Sequence, residues 1–190
     1  MSSGQAPGHI PADATPAGDG IVIGTGAVTV DAYVDFLCPF CRQFELASED
    51  TLKAMVTDGL IKLVYHPMSF LDEASTTRYS SRAAAASGCA SDGGKFPEYL
   101  RALFVSQPAE GGPGLTAAEL VELGTSAGLT DPAFGQCVLS GRYLDWPPYV
   151  TEQATAAGVS GTPTVLVAGE PVAADPRAIA AAVAAVARAR

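Results

Sequence analysis

The spacing of apolar residues along this chain changes several times, and each change marks an element. Ile21-Val22-Ile23 and Val28 to Phe36 are short runs rich in Val, Tyr and Phe, separated by a Gly24-Thr25-Gly26 turn; they predict two strands. Immediately after Cys38 the spacing becomes helical. Phe44, Leu52, Met55 and Val56 fall on one side, and the pattern closes near Asp58-Gly59. Leu60 to Tyr65 is again a strand, bounded by Gly59 and His66-Pro67. Strand, helix, strand in this order predicts a right-handed βαβ unit.

From about residue 72 to residue 158 the period is helical throughout. Segments 76–87, 96–106, 116–127 and 132–157 each read as a helix, with a Gly/Pro loop at 107–114. Thr116-Ala-Ala-Glu119 is a capping box, and Asp131-Pro132 is a cap followed by proline at the first helical position. Pro147-Pro148 is expected to break or kink the last segment. Thr164 to Val167 returns to strand, Ala168-Gly169-Glu170 turns, and Pro171 to Ala173 can pair back. Asp175-Pro176 caps a final helix with Ile179, Val183 and Val186 on one stripe, and Arg188 and Arg190 at the end that favours cations. Residues 1–20 are rich in Gly, Pro, Ala and Ser without periodicity, so they are expected to form a flexible leader or linker.

Composition narrows the class. With 48% hydrophobic and 16% charged residues the chain is globular rather than disordered. Its longest apolar run, Ala178 to Ala187, is far short of the roughly 20 residues of a membrane helix. The stretch Met1 to Gly20 has neither the basic cluster nor the apolar run of an export signal. A net charge of −9 argues against nucleic acid or an anionic membrane as partner, since both attract a basic face.

Of the four cysteines, two form Cys38-Pro39-Phe40-Cys41. Zinc sites usually combine two close-spaced pairs, and Cys89 and Cys137 are not such a pair, so no metal is expected. Cys38 stands where a strand ends and a Pro-started helix begins, which makes it the N-cap. Its thiolate then faces the free amides of residues 40 and 41 and the positive end of the helix dipole, which lower the thiol pKa. Cys41 lies within the first turn and should be the more buried of the two. Cys38 would attack through a mixed disulfide and Cys41 would resolve it. A plain structural disulfide or two inert buried thiols are the alternatives.

A second motif, Gly161-Thr162-Pro163-Thr164, precedes a late apolar strand. Taken with Asp35-Phe36-Leu37-Cys38-Pro39-Phe40-Cys41 and the helical block between them, it resembles the DsbA-like branch of the thioredoxin superfamily over residues 21 to 190. The resemblance implies a thioredoxin fold, an α/β central mixed sheet flanked by helices with an inserted helical domain. The thioredoxin part would comprise residues 21–71 and 158–190, and the insert residues 72–157. It implies catalytic Cys38 and Cys41, with Pro39, Phe40, Thr162 and Pro163 tuning the site, and a cis Thr162–Pro163 bond. Phe36, Phe40 and Thr162 would contact substrate, the Thr162 backbone pairing with an extended peptide. Relatives often carry a buried carboxylate six residues before the first cysteine, where this chain has Ala32. Asp31 and Asp35 fall on the opposite face of a regular strand and read as solvent-facing or turn-capping. Phe40 stands where the best-known DsbA-like motif has histidine, and its side chain has neither a hydrogen bond nor a positive charge to give the Cys38 thiolate, so a milder oxidant is expected.

Cys137 follows Phe134 by three residues on one helix face, and Cys89 lies just past Gly88 at a helix end. A bridge closing a loop of about 50 residues would stabilise the chain by roughly 4 kcal/mol; two buried free thiols are the alternative. A bridge would also argue for an oxidising compartment and for a chain trimmed of its signal. The expected activity is that of an extracytoplasmic dithiol–disulfide oxidoreductase, monomeric and without cofactor, in the periplasm or cell envelope. Its substrates would be exported reduced or unfolded proteins, and the resemblance implies reoxidation by a membrane quinone-linked partner of the DsbB or VKOR kind. Three rival readings are a reductase or isomerase on the same fold, a disulfide-stapled binding module without activity, and a cytosolic relative.

Overall fold

The computed structural model describes residues 6–189, and its secondary structure follows the alternation and the helical spacing closely. A five-stranded mixed sheet is built from β1 (Ile21–Ile23), β2 (Val28–Val34), β3 (Ile61–Pro67), β4 (Thr164–Val167) and β5 (Glu170–Val172), in the order β1-β3-β2-β4-β5. β2 and β3 pair in parallel, with Val28 opposite Ile61 and Val34 opposite Pro67, as a strand–helix–strand crossover requires. The other three pairings are antiparallel. The turn into β2 needs glycine: a Cβ on Gly26 would run into the Ile61 backbone.

Helix α1 (Pro39–Thr57) connects the parallel pair and buries Cys41, Phe44, Leu52 and Met55. Five helices follow β3: α2 (Tyr79–Asp92), α3 (Phe96–Val105), α4 (Ala117–Ser126), α5 (Pro132–Ser140) and α6 (Trp146–Ala156). α2 forms the centre of this block; its small residues Ala83 to Ala86 are buried, which lets α3, α5 and α6 approach it. α7 (Pro176–Arg188) packs on α1 and the sheet through Ile179 and Val183. The Thr116–Glu119 capping box forms, and Asp131 and Asp175 cap α5 and α7.

Two expectations are corrected. The segment 132–157 is not one helix with a kink at the prolines: it ends at Gly141, which adopts φ 67° as the C-cap of α5, and restarts at Trp146. Pro147 and Pro148 fall in the first turn of α6, where a missing N–H costs nothing, so they open a helix instead of breaking one. The leader is also not free over residues 6–20. Trp146 Nε1 donates to Gly18 O at 2.7 Å, Tyr149 OH donates to Ala17 O at 2.8 Å, and Ala12 N donates to Asp92 Oδ1 at 2.9 Å. Composition hid these ties because they are made by the backbone carbonyls and amides of the segment to side chains far away in sequence. The leader expectation for residues 1–5, like that for Arg190, lies outside the described residues.

Candidate active site

The end of β2 and the start of α1 make one turn, and the two motifs meet there. Cys38 is the N-cap of α1, with φ −73° and ψ 117°, and Pro39 follows in the first turn. The Thr162–Pro163 bond is cis, and Cys38 Sγ lies 3.4 Å from Thr162 O. The two regions brought together are 124 residues apart in sequence. Both Cys38 and Cys41 are thiols in this structure.

Their environments differ. Hydrogen bonding from the Cys41 thiol, then from the amides of Cys41 and Phe40 and the Thr162 side chain, stabilises a Cys38 thiolate, and its pKa falls to about 6 despite partial burial. Burial pushes the Cys41 thiol far in the other direction, with the proton it gives to Cys38 adding to the effect. The pair is therefore polarised into an anionic sulfur and a protonated one. Cys41 is fully buried and Cys38 is 5% exposed, a narrower opening than a free nucleophile at a helix start leads one to expect. Phe40, by contrast, is 67% exposed, a large apolar side chain left in water beside the sulfurs. It lines an open groove with Gln43, Phe44, Thr162, Pro163 and Pro176.

Phe36 does not reach this groove. It is 0% exposed and packs on Phe104 with ring centroids 5.1 Å apart, so it supports the turn from below and cannot touch a substrate. β2 ends at Val34 and the turn that follows carries Phe36 into the core, so the substrate contact that the resemblance implied is not made by this side chain.

Asp35 caps the turn through Leu37 N, one of its two expected roles, but it does not face solvent. It is completely buried, because it too lies past the regular strand, where the period-2 argument no longer holds. Its carboxylate accepts from Leu37 N at 2.9 Å, Leu71 N at 3.0 Å and Ser80 Oγ at 2.7 Å, while its own amide donates to Cys41 Sγ at 3.4 Å. Burial raises its pKa to about 6 against the lowering effect of those hydrogen bonds. Asp31, on the strand itself, pairs with His66 Nε2 at 3.0 Å. From the helical block, Gln107 Nε2 donates to Phe36 O at 2.9 Å and to Cys38 O at 3.0 Å, and Arg42 Nε donates to Phe104 O at 2.9 Å. The turn is thus held from α2 by Ser80 and from the end of α3 by Gln107. Asp35 could have been suspected as an acidic residue at the edge of an apolar run; Gln107, in a Gly/Pro loop, carries no local signal.

Cys89 and Cys137 are bridged, joining α2 to α5 with Cα atoms 5.8 Å apart. Among the described residues no group of His, Cys, Asp or Glu is arranged to hold a metal ion, and no helix is long and apolar enough to cross a membrane.

The family model described as thioredoxin matches residues 17–185. Two solved structures from Mycobacterium tuberculosis are similar throughout. The reduced form of the disulfide bond oxidoreductase DsbG is 33% identical, with TM-score 0.79, over 90% of this chain and 88% of that one. Reduced DsbA is 32% identical, with TM-score 0.78, over 89% and 92%. The oxidised BdbD of Bacillus subtilis, 20% identical with TM-score 0.75 over 93% of this chain and 98% of that one, shares the fold. Among curated proteins, the serine/threonine-protein kinase PknE of M. tuberculosis is 33% identical over 160 residues, which is 77% of this chain. The chain spans 28% of the length of that kinase.

Proposed function

This chain belongs to the thioredoxin family, within its DsbA-like branch, and from that premise we propose that it is a thiol–disulfide oxidoreductase acting through Cys38 and Cys41. The observation that carries the reading is the Cys38 sulfur, with its pKa held at about 6 by donors at a helix start and its position beside Thr162 and the cis Pro163. Pro39, Phe40, Thr162 and Pro163 tune and frame the pair, and exposed Phe40 with the Thr162 backbone receives the substrate chain.

The direction is oxidation of substrate dithiols. A substrate thiolate attacks Sγ of Cys38 in the oxidised pair, the Cys38–Cys41 bond breaks, and Cys41 leaves and takes up a proton. The second substrate thiolate then attacks the substrate's own sulfur in the mixed disulfide, closing the substrate disulfide and releasing Cys38 as a thiolate. Two electrons have passed to the enzyme. A leaving thiol of low pKa departs faster, and a reduced form stabilised as thiolate makes its disulfide the stronger oxidant. The depressed Cys38 pKa supports this direction. Net reoxidation would fall to a membrane quinone-linked partner, and the substrates would be reduced proteins outside the cytoplasm. The Cys89–Cys137 bridge supports that location, because cytosolic chains rarely keep a structural disulfide. Residues 21–71 and 158–190 would form the exchange domain, with residues 72–157 as a helical insert that braces the active turn.

The test is the reduction potential of the Cys38–Cys41 couple, with oxidative-refolding and insulin-reduction assays beside it. A potential on the order of −120 mV agrees with an oxidant, and one below about −250 mV reassigns the protein to reduction.

A further inference from the structure

Away from the cysteines, α1, α3 and β3 border a half-open cavity of about 650 Å³ that the exchange chemistry does not use. Its walls are apolar, formed by Ile23, Leu52, Val56, Leu63 and Leu100. Among these lies Glu45, a carboxylate only 3% exposed. One of its oxygens accepts from Tyr65 OH at 2.7 Å. None of the ion pairs among the described residues includes Glu45: Arg101 is engaged by Glu49 at 2.8 Å, and Lys95 by Glu98 at 3.1 Å. A buried acid without a direct ion-pair partner is costly, and here burial, the largest cause, with Glu49 nearby, lifts its pKa to about 7 against the pull of the Tyr65 hydrogen bond and of Arg101.

We propose that this cavity binds a small apolar amine, whose body fills the space between Leu52, Leu63 and Leu100 and whose ammonium group supplies the cation that Glu45 lacks. An apolar pocket with one convergent polar group is the usual form of a small-ligand site. The amine is favoured over an acid because the buried polar groups of the cavity are Glu45 of α1 and the Tyr65 hydroxyl of β3, whose proton is already given to Glu45, so an anion there would meet a carboxylate and no free donor. At the mouth Arg101 of α3 is paired with Glu49, Glu98 of α3 with Lys95, and Lys53 of α1 lies on the rim. β1 and α4 contribute Ile23 and Ser126, which do not titrate. This site is independent of the reading of the cysteines, so either can fail alone.

Phenethylamine and its neutral analogue 2-phenylethanol test it by calorimetric titration and amide-shift mapping on the whole chain. At pH 8 the amine is expected to bind at least about tenfold tighter than the alcohol, with shifts centred on Leu52, Leu63 and Leu100. Protons compete for Glu45 as pH falls, so amine affinity should drop about tenfold between pH 8 and pH 6, while that of the alcohol stays constant. Glu45→Gln should erase both the amine preference and the pH dependence and leave alcohol binding intact. Tyr65→Phe retains the carboxylate and should retain the preference, which keeps the test decisive if the first variant does not fold. Equal affinity for the two compounds, a flat pH profile for the amine, or shifts elsewhere overturns the proposal.

Discussion

Cys38 and Cys41 share one turn of backbone, whereas Cys89 and Cys137 are separated by 48 positions and meet only because α2 and α5 pack together. The first pair is surrounded by hydrogen-bond donors that distinguish its members: one sulfur faces amides at a helix start, and the other is sealed beneath it. Neither sulfur of the second pair sits at a helix start: Cys89 lies in the last turn of α2 and Cys137 in the second half of α5. A thiol becomes reactive through donors that prefer its anion, and it becomes a staple through burial and a partner at the right distance. The same element therefore serves opposite purposes in one fold.

Removing the nucleophile breaks this contrast most completely. Cys38→Ser should lower exchange by a factor on the order of 10³ or more, since serine forms no disulfide. Cys41→Ser should instead accumulate mixed disulfide, visible by mass spectrometry. Wild-type alkylation by iodoacetamide sharpens the comparison: the thiolate population rises as pH rises through about 6, so the rate should be half-maximal there. An ordinary thiol titrates near 8.5, and a profile centred there would remove the helix-start argument.

The staple should show the reverse pattern. Replacing Cys89 and Cys137 by alanine releases a loop of 48 residues' separation, and the chain-entropy model assigns about 4 kcal/mol to its closure. Urea titration should read that loss, with exchange by Cys38 unchanged below the transition. A large loss of exchange in the folded double variant would mean that the two pairs are coupled.

How much of this could be read beforehand depends on where regularity holds. Strands, α1 and the capped helices were legible because Ile21, Val28, Phe44, Thr116 and Asp175 each occupy a position that periodicity or capping chemistry explains. The CPFC turn and the Thr162–Pro163 motif were legible because each is local, and their meeting was supplied by resemblance to a family. What escaped was set by residues just outside regular elements. Asp35 and Phe36 follow the last residue of β2: alternation put Asp35 on the solvent side, the resemblance put Phe36 against substrate, and the turn buries both. The packing of residues 6–20 escaped too, because its partners Trp146 and Tyr149 announce nothing in sequence.

Asp35 gives the next largest effect. Asp35→Ala leaves the amides of Leu37 and Leu71 buried without acceptors, a cost of about 3 kcal/mol at 1–3 kcal/mol per orphaned group. Its pH dependence has a definite sign. The folded pKa is about 6, above the ordinary 3.8, so the folded chain binds the proton more tightly than the unfolded chain does. Stability from this group is complete below about pH 4 and is lost as pH rises through about 6. Asp35→Asn should flatten that part of the stability profile, measured by urea titration from pH 3.5 to pH 7. An unchanged slope would mean that the carboxylate is solvated after all.

The smallest expected effect bears most directly on what the helical block contributes to the reactive pair. Gln107 crosses from the end of α3 to the carbonyls of Phe36 and Cys38, the two residues on either side of Leu37. These carbonyls bracket the turn that aims the Cys38 amide and sulfur, and Phe104 beneath them carries the ring that holds Phe36. Gln107→Leu keeps the volume and removes both donors. At about 1 kcal/mol per hydrogen bond the stability cost should be roughly 2 kcal/mol. A purely structural role would end there. If Gln107 positions the nucleophile, the midpoint of the Cys38 alkylation profile must also rise, because a turn free to relax aligns the residue 40 and 41 amides with the sulfur less well. Gln107→Glu separates the two roles: it removes the donated hydrogens and places negative charge near the thiolate, so the midpoint should move up further than in the leucine variant. Both midpoints remaining near 6, with stability lost as stated, would confine the helical block to support and leave the reactivity of Cys38 to α1 alone.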